Sequence, residues 1–463
     1  MGGIHRTTAS HRSPLAARGE PYDGAVSISP PSALVRGAGP SVVGGVALVA
    51  LGAAMGIATV QMPDYALIIA LGALLVAVAA IDMSLVPVLA VPGVFIVQRM
   101  GPMSGSDLLL AIAVIVSLIL VRNRGLSTMQ PLLWSGAFYV ALTAPQLILN
   151  RYAENYIEWA HELALVLGGL IVGFVIGRDG HARLALGIYV AICVAIGLTA
   201  AVTALGNGFH PVYLGALHKN AIGAFLMIAV VITFANPPWL RWPGWFAWSA
   251  FIICSLGMAA SQSRQAIVGA LIGIMVVGVR PRFHNGKRSR WIWFLLIPAG
   301  WFVYNEVVDQ LASGDDFSSA AQRLVWYVDA IEVWLISPLF GVGHRWWTTW
   351  HTGYGGFQPP NAEIEVLTTV GVIGLIGFIG MFAGALWALA RMNPVYGTLG
   401  LAVVSAKLAQ SQFDLYWVAG HAALLWIIAG ICYGVQERDR VEGIEWIPHP
   451  VQTVWRRTRG VRI

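Results

Sequence analysis

Long apolar runs recur along almost the whole of this 463-residue chain, separated by short polar turns. A run of about 20 apolar residues is long enough to cross a bilayer as a helix. Inside lipid every backbone N–H and C=O must find its partner within the protein, so such runs fold as helices or not at all. Runs at 42–61, 65–81, 84–98, 106–121, 132–149, 159–177, 184–205, 220–235, 244–260, 265–279, 291–307, 362–390, 395–412 and 416–435 predict an all-α, polytopic membrane protein. That makes about fourteen transmembrane helices, several short enough to be tilted or only partly spanning. Pro87 and Pro92 interrupt the run at 84–98.

Charged residues are only 11% of the chain, against roughly a quarter in soluble domains, which excludes a soluble globular enzyme. A hydrophobic share of 57% excludes a disordered scaffold, which needs low hydrophobicity and high net charge. The formal charge of +6 suggests nucleic acid at first sight. The basic residues sit between the apolar runs, however, where they read as topology signals. Cys193, Cys254 and Cys432 each lie inside an apolar run and read as buried small hydrophobes. No HExxH or CxxC spacing is present, so neither a metal site nor a cofactor is expected.

These features divide the chain into five parts. Residues 1–40, rich in Gly, Ser, Pro and Arg, read as a disordered cytoplasmic tail. An N-terminal transmembrane bundle covers 41–307, an extracytoplasmic loop 308–361, the C-terminal transmembrane helices 362–435 and a basic cytoplasmic tail 436–463. Lysine and arginine concentrate on alternate turns, which places both termini in the cytoplasm under the positive-inside rule. On the outer side that leaves Arg99, Arg151, Lys219, Arg264, Arg323 and Arg345, with Lys407 inside a helix. A multi-pass protein of the plasma or inner membrane follows. In the long outer loop, Leu324, Val325, Val328, Ile331 and Leu335 recur at helical spacing, as in an amphipathic helix on the membrane surface.

Each outer cation needs a reason. Arg264 ends Ser261-Gln262-Ser263-Arg264 in a tight turn. Its guanidinium is suited to fork onto a phosphate, or to snorkel from a helix end. Lys219, after His218 and before Asn220, opens a helix against the dipole preference, as an anion site built from ammonium and helix end would require. A solvated loop lysine is the plainer alternative. Arg345 follows Gly341-Val342-Gly343-His344 and precedes Trp346-Trp347. The tryptophans there suit an interface belt or a platform for sugar rings. His344 and His351 are titratable near neutrality and suit a general base, or are inert loop residues. Asn361 reads as a helix cap after Pro359-Pro360, with Glu363 and Glu365 one turn inside at membrane depth, where carboxylates are rarely idle. Asp107, Asp414 and Lys407 are weaker positions of the same kind; a Lys407–carboxylate pair would be structural.

Together these stretches resemble the O-antigen ligase and O-antigen or exopolysaccharide polymerase superfamily of membrane glycosyltransferases. The resemblance runs in order through His218-Lys219-Asn220-Ala221-Ile222-Gly223, Ser261-Gln262-Ser263-Arg264, Arg323-Leu324-Val325-Trp326, Pro338-Leu339-Phe340-Gly341-Val342-Gly343, and Asn361 to Gly371-Val372-Ile373-Gly374. It covers roughly residues 210–380. The resemblance implies a C-type glycosyltransferase fold and a polyprenyl-pyrophosphate-linked glycan donor. It also implies metal-independent, inverting transfer to a glycan or glycolipid acceptor hydroxyl on the outer face. It assigns the pyrophosphate to Arg264 and Arg323; Lys219, His218, Arg345 and Asn361 are further substrate-binding candidates from the reading of the residues themselves. The family's usual histidine before the asparagine is Pro360 here, and its usual glutamate is Thr369. His351 or Glu363 is then expected to take the base role. A transporter or flippase of a lipid-linked or anionic amphipathic substrate is the alternative, though no paired repeat supports it; a non-catalytic scaffold in cell-wall synthesis is a third.

Overall fold

A computed structural model describes residues 66–100, 103–122, 126–215, 217–280, 319–349, 358–417, 420–447 and 454–457. The expected spans at 42–61 and 291–307, the tail 1–40 and His351 lie outside them. The described chain is mostly helical. Its long helices are α1 (Ala66–Ile81), α2 (Gly105–Val121), α3 (Gln130–Thr143), α4 (Ala153–Arg178), α5 (Ala182–Gly206), α6 (Lys219–Ala235), α7 (Gly244–Ser261), α8 (Arg264–Val279), α9 (Ser319–Ile336), α10 (Ala362–Arg391), α11 (Pro394–Ser411) and α12 (His421–Glu442). Among the described residues five helical stretches are long and apolar enough to cross a membrane: Ser127–Leu149, α4, α5, α7 and α10. Five more apolar helices are shorter, which leaves the full expectation of fourteen spans open.

Three expectations change. The run at 84–98 is not a span: Met83–Leu89 forms a 3-10 helix, Ala90–Gly93 a single α turn, and the chain then enters a β-hairpin. Pro87 and Pro92 lack the N–H groups that a continuous helix needs. Nor is the chain wholly helical, because β1 (Arg99–Met100) pairs antiparallel with β2 (Met103–Ser104), and β3 (Ile444–Ile447) with β4 (Val454–Arg457). The final helix is shifted, starting at His421 and running to Glu442, well into the expected tail; Gly443 ends it in the left-handed conformation that glycine favours.

The core is built around α6 and α12, whose residues 222–232 and 421–435 are buried without a break. Peripheral helices bury one face and leave large apolar side chains outward, such as Leu198, Val202 and Leu205 on α5 and Trp245, Trp248, Ile252 and Leu256 on α7. That is the arrangement expected when the surroundings are lipid. Glycines let α4 and α12 touch backbone to backbone: a Cβ at Gly173 would strike Ile427, and one at Gly430 would strike Leu170. Small residues at helix contacts are the usual device where lipid removes the hydrophobic drive.

One element is broken on purpose. Inside α10, Gly371 has φ +69°, so the helix is interrupted in mid-span. Residues 338–343 run alongside and satisfy the freed backbone: Val342 N–H donates to Thr368 O (3.0 Å) and Gly343 N–H to Thr369 O (2.8 Å). In return Val372 N–H donates to Pro338 O (3.0 Å) and Ile373 N–H to Leu339 O (3.2 Å). A Cβ on Gly341 would collide with the Thr369 backbone, and one on Gly371 with the Leu339 backbone. The two glycine motifs are therefore the two halves of one interlock.

Candidate functional site

Contacts gather the first turns of α2, α4, α6, α8 and α10 at one end of the bundle. Asp107 of α2 meets His161 of α4, and Lys219 of α6 lies close enough to Arg264 of α8 to repel it. The turn after α11 ties these ends together. Gln412 O accepts from Asn361 Nδ2 (3.0 Å), Asp414 Oδ2 accepts from Gln265 Nε2 (3.3 Å), and Trp417 stacks on Tyr139 with ring centres 5.7 Å apart. Helix N-termini present free N–H groups and partial positive charge, so a common set of them favours anions.

Beneath this end lies a polar cavity of about 50 Å³ whose walls include Asp107, Glu158, His161, Glu162, His344 and Glu365. That is room for a water or one hydroxyl group, far below the several hundred Å³ of a ligand pocket. Ser104 and Asp107 form a capping box at the start of α2, which fixes Asp107 with Oδ1 toward α4. His161 Nε2 contacts that oxygen at 2.9 Å, and its Nδ1 contacts Glu158 Oε1 at 3.0 Å. With carboxylates on both ring nitrogens, both are donors and the ring carries the positive charge. Glu158 Oε2 in turn accepts from Arg345 Nε. The result is a line of alternating charges, each matched by the next.

A second chain begins at Tyr139, whose hydroxyl donates to Glu162 Oε2 (2.6 Å). Glu162 Oε1 faces His344 Nδ1 at 3.1 Å. A carboxylate there requires Nδ1–H, so the Nε2 of His344 is left as an acceptor. That Nε2 has no partner among the described residues, although His344 is only 3% exposed. Glu365, 4% exposed, accepts at Oε1 from Gln358 Nε2 (3.0 Å) and leaves Oε2 without a partner. Two buried acceptors thus share a cavity the size of one hydroxyl, and buried polar groups are rarely left unpaired without a role. No three His, Cys, Asp or Glu residues among those described are arranged to hold a metal ion.

The interlock explains how His344 reaches this place. Tyr152 donates its hydroxyl to Val342 O (3.2 Å) and His344 O (2.8 Å), while Asn155 Oδ1 accepts from His344 N–H (2.7 Å). Burial pushes the Tyr152 hydroxyl well above the usual tyrosine range, so it remains a donor. Just past Glu162, α4 takes a π-helical turn at Ala164–Gly168, a distortion frequent at functional sites.

The structure treats the other expected site residues differently. His218 caps α6, its Nδ1 accepting from Asn220 N–H (3.2 Å). Arg345 was expected as a phosphate ligand, but it pairs with Glu158 in the cavity wall, because an uncompensated carboxylate there is costly. Both ends of the Asn361 amide serve structure: Oδ1 accepts from Ile364 N–H (3.0 Å) and Nδ2 holds Gln412. Glu363 Oε1 accepts from Gln412 Nε2 (2.5 Å). Trp347 is buried and donates to Thr368 Oγ1 (2.9 Å), so it is a support and not a sugar platform. Lys407 donates to Gln410 Oε1 (3.0 Å), an amide and not the carboxylate expected. Arg323 lies in α9, and its side chain is outside the described residues. Glu158, His161 and Glu162 stand at the start of the apolar run at 159–177 and are not among the expected site residues; three ionisable groups at i, i+3 and i+4 at the edge of a membrane span are the available signal.

Residues 249–379 match the family model described as O-antigen ligase. That stretch is an O-antigen ligase-family region. It holds Arg264, all of α9, the interlock, His344 and the first half of α10. Lys219 and the acidic residues of α2 and α4 lie N-terminal to it. Together with the apolar helices, this match supports an integral membrane protein that is O-antigen ligase-like over that stretch, as in polysaccharide biosynthesis. The O-antigen ligase family implies a lipid-linked glycan and an acceptor as partners in general terms. Among curated proteins, none matches the chain.

Proposed function

We propose that the protein is an outer-face glycosyltransferase that moves a glycan from polyprenyl pyrophosphate to an acceptor hydroxyl, polymerising or ligating cell-surface polysaccharide without a metal ion. The observation that carries this reading is the hydroxyl-sized cavity with the unpaired acceptors His344 Nε2 and Glu365 Oε2, placed at the same end as Lys219 and Arg264. In the reaction the acceptor oxygen forms a bond to the anomeric carbon while the bond from that carbon to the pyrophosphate oxygen breaks. The hydroxyl proton passes to His344 Nε2, and Glu162 stabilises the imidazolium so formed. Glu365 orients the hydroxyl. Lys219 and Arg264, with Arg323 from α9, stabilise the negative charge that grows on the departing polyprenyl pyrophosphate, preorganised as such charges must be.

His344 takes here the part first considered for His351 or Glu363. The outward face of α9, with Val325, Val328, Ile331 and Leu335 each more than half exposed, suits a helix resting in the outer leaflet beside the donor's prenyl tail. Membranes containing the full chain and a lipid-linked oligosaccharide test the reading. A product ladder identifies a polymerase and a single transfer a ligase. Lys219→Ala and Arg264→Ala should remove product while leaving membrane insertion intact; full activity in both refutes the assignment.

A further inference from the structure

The opposite end of the bundle carries a second site, independent of the reaction proposed above. Arg178 lies 16 residues beyond Glu162 on the same helix, about 24 Å along the axis, so the two sites face opposite membrane surfaces. Around Arg178 the ends of α4, α5 and α12 and the turn after α6 enclose a polar cavity of about 340 Å³. Four arginines line it, Arg178, Arg183, Arg241 and Arg438, against two carboxylates, Asp179 and Glu442. Arg178 grips Asp179 through Nε (2.7 Å) and Nη2 (3.0 Å), yet its Nη1 is buried without a partner, on a side chain only 9% exposed. The first N–H groups of α5 have no side-chain cap. Arg183, exposed, makes no ion pair among the described residues.

The cavity does not stop at the polar surface. Gly180 and Arg183 also line an apolar groove of about 710 Å³ that runs between α5 and α7. Its walls include Leu184, Ile188, Trp245 and Phe246, and Gly187 has open space where a side chain would stand. Leu184 is 47% and Trp245 73% exposed, on the outward faces of these helices. A positive polar chamber opening into an apolar channel on a lipid-facing surface is complementary to one class of molecule: an anion with a hydrocarbon tail.

We propose that this composite cavity binds an anionic phospholipid of the adjacent leaflet, its phosphate between Arg183, the free Nη1 of Arg178 and the N-terminus of α5, and an acyl chain lying in the groove beside Gly187. Basic pockets between membrane helices are suited to such headgroups. The groove separates a lipid from a free anion, because inorganic phosphate has nothing to place there.

The test titrates the full chain in detergent with dioleoyl phosphatidylglycerol and reads retained lipid by native mass spectrometry, with phosphatidylcholine as the neutral control and inorganic phosphate as the headgroup alone. The wild-type chain should retain phosphatidylglycerol in preference to phosphatidylcholine. Arg183→Ala should weaken that retention about fivefold, as one near-surface charge does. Gly187→Leu, which changes no charge and enters open space, should weaken it as well. Equal retention of both lipids, or insensitivity to both variants, overturns the proposal. So does displacement by inorganic phosphate with no effect of Gly187→Leu, which would mean an anion site without a lipid. Both variants must elute as the wild-type chain does; if Arg183→Ala does not, Arg183→Gln replaces it with the same expectation.

Discussion

The sharpest consequence of the cavity concerns His344. Replacing it with glutamine keeps a side chain of similar reach but removes the basic nitrogen. The proton of the acceptor hydroxyl then has no positioned base. General-base groups contribute about 10²- to 10⁴-fold, so His344→Gln should slow transfer by that factor, about 3 to 5 kcal/mol of barrier. Glu162→Gln should fall within the same range for a different reason: an amide can donate to Nδ1, which invites the tautomer with the proton on Nε2 and blocks acceptance there. Tyr139→Phe removes only one of the two hydrogen bonds to Glu162 and keeps the ring stacked on Trp417. Its effect should be smaller, about tenfold, the low end of the roughly 1.5–3 kcal/mol that one hydrogen bond to a charged group contributes. The assay is glycan transfer from a lipid-linked oligosaccharide in membranes, read as initial rates on a gel, with expression and detergent elution monitored in parallel. Graded losses in that order, at unchanged protein levels, support a carboxylate-oriented base. Wild-type rates in His344→Gln refute it, since no other unpaired imidazole nitrogen faces the cavity among the described residues.

Other expectations follow from the same geometry. Gly371→Ala should lower the melting temperature in detergent by several degrees, because a Cβ there meets backbone at φ +69° and left-handed strain alone costs roughly 1–2 kcal/mol; an unchanged transition would contradict the interlock. Arg345→Ala leaves Glu158 with His161 as its remaining cation but one buried carboxylate oxygen without a donor, and should destabilise the fold by about 1–3 kcal/mol, whereas Arg345→Lys should recover part of that in the same melt. His218 has its pKa pulled below the usual 6.5 by burial first and Lys219 second. The folded state therefore resists the proton more than the unfolded chain does, so stability should decline as pH falls from about 6.5. His218→Asn keeps a cap acceptor that does not titrate and should flatten that decline; an identical pH profile in the variant would rule the cap out as its source.

Much of the architecture was legible in the sequence because membrane spans depend on local composition alone. Eight of the apolar runs correspond closely to helices from α1 to α11, and the amphipathic helix α9 stands where its period placed it. What escaped was non-local. Nothing in Pro338–Gly343 says that these residues will complete a break thirty residues later, since that pairing is made of backbone hydrogen bonds. The hairpin at Arg99–Ser104 is too short to show a period. The site was read half correctly for a related reason. Cations such as Lys219 and Arg264 stand out in a chain poor in charge. Asp107 was legible as a lone acidic position, but Glu158, His161 and Glu162 stand at the start of an apolar run, and only the packing of α2 against α4 brings them to it. His344 carried the right chemistry in the sequence, but its Glu162 partner lies 182 positions away.

The union of residues 338–343 with the opened turn of α10 has a bearing on how such proteins can be recombined. Neither strand of it is complete alone, so exchanging residues 338–343 between relatives without the helix they complete would strand four backbone hydrogen bonds. A chimera should therefore carry 338–373 as one cassette. Within the cassette, the spacing between Gly341 and His344 is a ruler: one residue more or less would swing the imidazole away from Glu162 and out of the cavity it lines.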